Sequence, residues 1–181
     1  IDLARAEQGA ARYGIPAWGT LDELLADPEV DLIVNITPPT AHAAVTQAAV
    51  QAGKHVYTEK PVATSTAEAA TMLGVVEAAQ RRLGSAPDTF LGSAGQTARA
   101  VIDSGEIGEI IGFTAFSTHN RMETWHPNPT FLFQPGGGPV FDLGPYFVAA
   151  LVNLLGPIAP LPGKTRIGAR TRQVTAPNRL V

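Results

Sequence analysis

DLIVNITPPTAHAAVTQAAVQAGKHVYTEKP, residues 31–61, decides the fold. It opens with Asp31-Leu32-Ile33-Val34-Asn35-Ile36, a short, apolar, β-branched run that reads as a strand buried on both faces of a parallel sheet. Thr40 stands where a helix cap belongs. The small side chains of Ala44, Val45, Ala48, Ala49 and Ala52 then make one apolar stripe along about 12 residues of helix. Gly53 stops that helix, and His55-Val56-Tyr57-Thr58 reads as the next strand. Strand, helix, strand at this spacing is a βαβ unit, which crosses over right-handed.

Working outward, Asp2 caps a helix with Leu3, Ala6, Ala10 and Tyr13 on one face, and Gly14 takes the position after its end. A short extended piece, Ile15–Trp18, follows. Thr20-Leu21-Asp22-Glu23 is a capping box opening a helix to Ala26. Ser65-Thr66-Ala67-Glu68 is a second box, leading a long helix to about Leu83. Alternation of this kind predicts an α/β, Rossmann-like, doubly wound parallel sheet. The pattern then changes. Gly95–Ser104 reads as a helix and Glu109–Ser117 as a strand, followed by a loop rich in Pro, Trp and His to Pro135. Gly136-Gly137-Gly138 leads into Val140–Tyr146 and an apolar helix through Leu155. We expect a dinucleotide-type domain over residues 1–92 and the start of an α+β domain over 93–181.

The 181 residues carry 13 Lys+Arg against 16 Asp+Glu, a net charge of −3, which offers no basic face for nucleic acid or an anionic membrane. At 45 % hydrophobic residues the chain can build a core. With no Cys there is no disulfide, thiolate metal site or cysteine nucleophile. No apolar run approaches the roughly 18 residues of a membrane span, so a soluble, cytoplasmic protein is expected. The sequence begins at Ile1 without Met and ends on a polar, Pro-containing stretch, and the expectation is a fragment of a longer protein.

Candidate site residues sit at the ends of the strands. Ile36-Thr37-Pro38-Pro39-Thr40 joins a strand to a helix, where an open parallel sheet binds ligands, although an ordinary βα turn has the same composition. His42, in the first turn, either faces that ligand or is a solvated surface histidine. Thr58-Glu59-Lys60-Pro61 leaves the next strand at the same sheet edge. Lys60 there either donates to a substrate oxygen or is a surface lysine held by Glu59. Asp142 and Tyr146, four apart behind three glycines, share a face if the helix has begun. A cap and a core tyrosine are the plainer reading. Trp125-His126-Pro127-Asn128-Pro129 places an indole and an imidazole on a Pro-bounded loop, either touching substrate or packing on the surface.

Together, TPPTAH (37–42), AGKHVYTEKPVA (52–63) and GGGPVFDLGPYFVAALVNLLG (136–156) resemble the motifs of the glucose–fructose oxidoreductase / inositol dehydrogenase family, Gfo/Idh/MocA. The resemblance covers Asp2 to about Gly156. It implies a Rossmann domain for NAD or NADP and a second domain that holds a sugar, polyol or cyclitol and builds homo-oligomers. It implies that Ile36, Thr37, Pro38, His42, Glu59 and Lys60 line the nicotinamide half of the cofactor site. Lys60 then becomes the catalytic lysine and Asp142 the residue orienting the substrate hydroxyl, with Trp125 and His126 beside the substrate. Where the family usually places a histidine base, Tyr146 stands. Lys60 can make a tyrosine serve, and His126 is the other candidate base. No metal is implied. The family's G-x-G-x-x-G phosphate loop is not in the sequence. The implied activity is hydride transfer between nicotinamide and a carbinol or ketone carbon. Two other readings are an NAD-using glycosidase of the same family and a non-catalytic cofactor- or sugar-sensing protein.

Overall fold

A computed structural model of the chain describes residues 2–118, 121–126, 128–134, 136–160, 162–169 and 171–175. It divides into two compact units, Ile1–Ser85 and Ala86–Val181.

In the first unit, helices α1 (Leu3–Tyr13) and α2 (Leu21–Ala26) precede strand β1 (Leu32–Asn35), helix α3 (His42–Gln51), strand β2 (His55–Thr58), helix α4 (Thr66–Ala78) and strand β3 (Leu83–Ser85). The strands form one parallel sheet in the order β1-β2-β3. Leu32 faces His55, Asn35 faces Thr58, and Thr58 faces Ser85. This is the Rossmann-like layer expected from the βαβ pattern.

Local chemistry sets most boundaries. Asp2 accepts from the Arg5 N–H and caps α1, and Gly14 closes it in the left-handed region at φ 65°, which glycine enters without a Cβ penalty. Thr20 and Glu23 form the full capping box of α2. The second box is only half made. Ser65 accepts from the Glu68 N–H, but the Glu68 carboxylate turns to the N–H and hydroxyl of Thr64 instead of Ser65. Thr40 makes no side-chain cap. It lies inside a 3-10 turn, Pro39–Ala41, and α3 starts at His42 after it.

Packing corrects three further expectations. Ile33, Ala49, Val50, Val56 and Val76 form one buried cluster, and Ala43, Ala63 and Met72 another. Both lie where α3 and α4 meet the sheet. Leu32, Val34 and Ile36 point the other way and are exposed, so β1 is covered on one face rather than two. The face of α1 is likewise open, with Ala10 its one buried residue. Finally, α4 ends at Ala78 instead of running to Leu83, and Leu83-Gly84-Ser85 pairs with β2. Gln80, at φ 52°, turns the chain between them.

The second unit holds α5 (Ser93–Asp103), α6 (Pro139–Asp142) and α7 (Gly144–Leu155), with 3-10 turns at Thr89–Leu91 before α5 and at Met122–Thr124 and Thr130–Phe133 between α5 and α6. The Arg99 guanidinium pairs with Asp103 and donates to the Asn153 and Leu154 carbonyls at 3.0 and 2.7 Å. It thereby satisfies the last turn of α7 from α5. Residues 109–117, expected as a strand, pair with nothing among the described residues, and Ile111 and Phe116 are almost wholly exposed. A strand needs a neighbour for its ladder, and the one sheet among the described residues is β1-β2-β3. Among the described residues no helix is long and apolar enough to cross a membrane.

Candidate functional site

One candidate site lies at the carboxyl edge of the sheet, and a buried asparagine builds it. Asn35 ends β1 at 2 % exposure, under α3. Its amide donates to the His42 carbonyl at 3.0 Å and to the Thr46 hydroxyl at 3.3 Å. Its Oδ1 accepts from the Thr37 hydroxyl at 2.7 Å and from the Thr37 N–H at 3.3 Å. One polar side chain therefore fixes the first turn of α3 and the loop after β1. Sequence reasoning passed over it, although a lone amide in Leu-Ile-Val-Asn-Ile was the available signal.

The second loop follows β2 one strand away. The Glu59 N–H donates to the Asn35 carbonyl at 2.8 Å, carrying the ladder past the end of β1, and the Lys60 N–H donates to the Glu59 carboxylate at 2.9 Å. The Lys60–Pro61 peptide is cis. Thr37, Pro38, Glu59 and Lys60 thus leave adjacent strands at one edge, as the sequence placed them. Ile36 and Pro38 are exposed beside them. An exposed apolar surface between loops that carry Thr37, Glu59 and Lys60 suits a flat ring.

His42 takes neither of the two positions considered for it. It is 1 % exposed, and its ring joins the two loops. Nδ1 lies 2.6 Å from the Pro61 carbonyl oxygen and Nε2 lies 2.6 Å from that of Thr37. With both nitrogens engaged and the ring shut from solvent, His42 does not present itself to a ligand.

A separate set of candidate residues lies in the second unit. Asp142 closes α6, and Leu143 separates it from α7, whose first turn contains Tyr146. The interruption means the two do not share a single continuous helix. Asp142 lines an open hollow of about 170 Å³ with Arg121, Glu123, Leu132, Phe133 and Arg172 among its walls. Tyr146, Trp125 and His126 are not part of that lining. Gly138, at φ 85°, and Gly137, packed against the Phe131 and Leu132 backbone, bring α6 to the hollow.

Glu123 is nearly buried, and Arg172 donates to it at 3.1 Å. Its own backbone N–H, then Arg172, then the more distant charge of Arg121 hold its carboxyl below the usual carboxylate range. Neither arginine nor Glu123 was singled out from the sequence. Arg121 and Glu123 lie just before the Trp125–Pro129 segment that was, whereas Arg172 lies 49 residues from its partner and gave no signal.

Trp125 and His126 stack edge to face at 5.7 Å, and His126 meets Phe131 the same way at 5.3 Å. The Asn128 N–H donates to His126 Nδ1 at 3.1 Å, so that nitrogen's lone pair is occupied and the ring proton sits on Nε2. Pro127 lies outside the described residues. Among the described residues no group of three His, Asp or Glu side chains is placed to hold a metal.

Two models of one family match the chain. "Oxidoreductase family, NAD-binding Rossmann fold" matches residues 1–86, and "GFO/IDH/MocA C-terminal domain" matches residues 96–177. A dTDP-3,4-didehydro-2,6-dideoxy-alpha-D-glucose 3-reductase of Saccharopolyspora spinosa is 33 % identical over 165 residues, covering 88 % of this chain and 48 % of that protein. A galactose 1-dehydrogenase of Pseudomonas fluorescens is 31 % identical over 158 residues, covering 87 % and 48 %. The crystal structure of an NAD binding oxidoreductase from Klebsiella pneumoniae superposes with a TM-score of 0.69 at 31 % identity, covering 86 % of this chain and 42 % of that one. The chain spans less than half the length of these relatives. With a parallel βαβ layer whose two strand-end loops meet at one edge, and with both family models matched in order, this chain belongs to the Gfo/Idh/MocA oxidoreductase family and carries its NAD-binding Rossmann fold over residues 1–86.

Proposed function

We propose that the protein is an NAD(P)-dependent dehydrogenase acting on one carbon of a sugar, polyol or cyclitol. The observation that carries this reading is the meeting of the Thr37-Pro38 and Glu59-Lys60-Pro61 loops at the carboxyl edge of a parallel sheet, tied by His42. Ile36, Thr37, Pro38, Glu59 and Lys60 fit the nicotinamide end of a dinucleotide. The sequence holds no G-x-G-x-x-G loop for the pyrophosphate, so these residues account for that end alone. The galactose 1-dehydrogenase relative supports a sugar as the substrate class.

Bound nicotinamide supplies the hydride acceptor or donor. Lys60 donates to the reacting oxygen and stabilises the charge that grows on it. Asp142 orients the substrate hydroxyl from the hollow, and Trp125 flanks it. The hydroxyl proton goes to Tyr146, the residue that stands where the family resemblance implies a base. His126 is the weaker candidate base because Nδ1 already accepts from Asn128. The first unit serves as cofactor domain and the second as part of the substrate domain of a cytoplasmic homo-oligomer. A chain without cysteine suits that reducing compartment.

The test is to incubate the intact protein with NAD or NADP and a panel of aldoses, polyols, cyclitols and simple glycosides, following nicotinamide absorbance and released sugar. Net reduction with at least one of them supports the dehydrogenase. Glycoside cleavage with no net absorbance change assigns the protein to the glycosidases, and saturable binding without turnover makes it a sensor.

A further inference from the structure

We propose that Asn35 is a positioning residue that holds the Thr37 hydroxyl proton inward, so that Thr37 meets the dinucleotide as a hydrogen-bond acceptor and selects a donor on it. The inference rests on the cofactor reading above and deepens it. Two backbone groups fix the orientation of the buried amide independently. The His42 carbonyl only accepts, so the atom facing it at 3.0 Å is the Asn35 amide nitrogen. The Thr37 N–H only donates, so the atom facing it at 3.3 Å is Oδ1. Exchanging the two ends of the amide would break both contacts.

Oδ1 then dictates the hydroxyl. An amide oxygen carries no proton, so the 2.7 Å contact between Oδ1 and the Thr37 hydroxyl is a bond that the hydroxyl donates. Turning that proton outward would leave Oδ1, on a residue of 2 % exposure, with only the longer contact to the Thr37 N–H. A hydroxyl has one proton and two lone pairs. With the proton on Asn35, the lone pairs of Thr37 Oγ1 remain, and among the described residues no donor reaches them. Thr37 is half-buried and lines an open hollow of about 210 Å³ with Leu24, Val34 and Ile36. A ligand at this edge therefore meets an oxygen that accepts. The matching donors of a nicotinamide dinucleotide are the carboxamide N–H and the ribose hydroxyls, whereas a carboxylate oxygen would oppose lone pair to lone pair.

The test titrates the intact protein with NADH or NADPH and with two analogues of it, reading affinity by fluorescence. One analogue carries 3-acetylpyridine, whose ketone lacks the N–H, and the other lacks the hydroxyls of the nicotinamide ribose. In wild type one analogue is expected to bind about tenfold more weakly than the parent, which identifies the donor. Thr37→Val should bring that ratio close to one, and Thr37→Ser should keep it. Asn35→Leu frees the hydroxyl to turn and should also lower the ratio, whereas a merely structural asparagine would weaken parent and analogue by the same factor. Equal weakening in Asn35→Leu overturns the positioning role. A ratio near one for both analogues in wild type, or a ratio that Thr37→Val retains, overturns the acceptor. If Asn35→Leu does not fold, Thr37→Val against Thr37→Ser decides. If wild type takes up neither NADH nor NADPH, the cofactor reading fails and the proposal falls with it.

Discussion

Replacing Asn35 by Leu removes the amide that joins β1 to α3 while keeping the side-chain volume. Four contacts vanish. Those to the Thr37 hydroxyl and the His42 carbonyl, at 2.7 and 3.0 Å, have good hydrogen-bond length, and the two at 3.3 Å are longer and weaker. At about 0.5–1.5 kcal/mol net for each bond, the sum is about 2–6 kcal/mol, with the two longer bonds holding it to the lower part of that range. Part is recovered, because the Thr46 hydroxyl can turn back to the His42 carbonyl within α3. Thr37 is only half-buried, so its hydroxyl can meet water. The expected loss is therefore about 2–3 kcal/mol. For a unit of this size that lowers the melting temperature by about 10–20 °C. Urea unfolding of the intact protein, followed by circular dichroism, measures it directly. Asn35→Asp should be worse than Leu, since it keeps the acceptor, discards the donor and buries a charge. A loss below about 0.5 kcal/mol for Leu would refute the view that this amide organises the edge.

Other perturbations address the candidate residues of each unit in turn. Lys60→Ala should lower kcat/KM by about 10²–10⁴-fold in steady-state assays, with secondary structure unchanged by circular dichroism. Tyr146→Phe should lower kcat by about 10²-fold and leave dinucleotide affinity as it was in a fluorescence titration. An alanine at Gly137 drives its Cβ into the Phe131 carbonyl oxygen and to 2.7 Å from the Leu132 carbonyl carbon, so thermal unfolding should show a loss of about 1–3 kcal/mol. Acid should destabilise the fold. Thr20 holds Glu23, Thr64 holds Glu68, and its own N–H with Arg172 holds Glu123, each below the ordinary value of 4.5. Carboxyls lowered by folding add stability that is present above 4.5 and lost as pH falls through their folded values. The melting temperature should drop on acidification below that point, and less steeply in Glu23→Gln.

Legibility tracked how local each cause was. The strands Leu32–Asn35 and His55–Thr58, the caps Asp2 and Thr20, and the glycine stops at Gly14 and Gly53 are written in neighbouring residues. The strand Leu83–Ser85 was not, because three residues with a central glycine have little β preference of their own and owe their pairing to β2. Residues 109–117 show the reverse, a strand-like pattern with no partner among the described residues. At the site, the sequence placed Thr37 and Lys60 at one edge, but it gave no route to the burial of His42. That burial depends on two carbonyls 5 and 19 residues away. The Glu123–Arg172 pair spans 49 residues and lay beyond any local signal.

The central claim is that the carboxyl edge formed by Thr37-Pro38 and Glu59-Lys60-Pro61 receives a nicotinamide dinucleotide. The direct measurement is the thermal unfolding of the intact protein with and without NADH and NADPH, for wild type and Lys60→Ala. The account predicts that one dinucleotide stabilises wild type by about 2.7 kcal/mol at 100 times its Kd, and that Lys60→Ala needs more dinucleotide for the same shift. A wild-type transition unmoved by millimolar NADH and NADPH would contradict it.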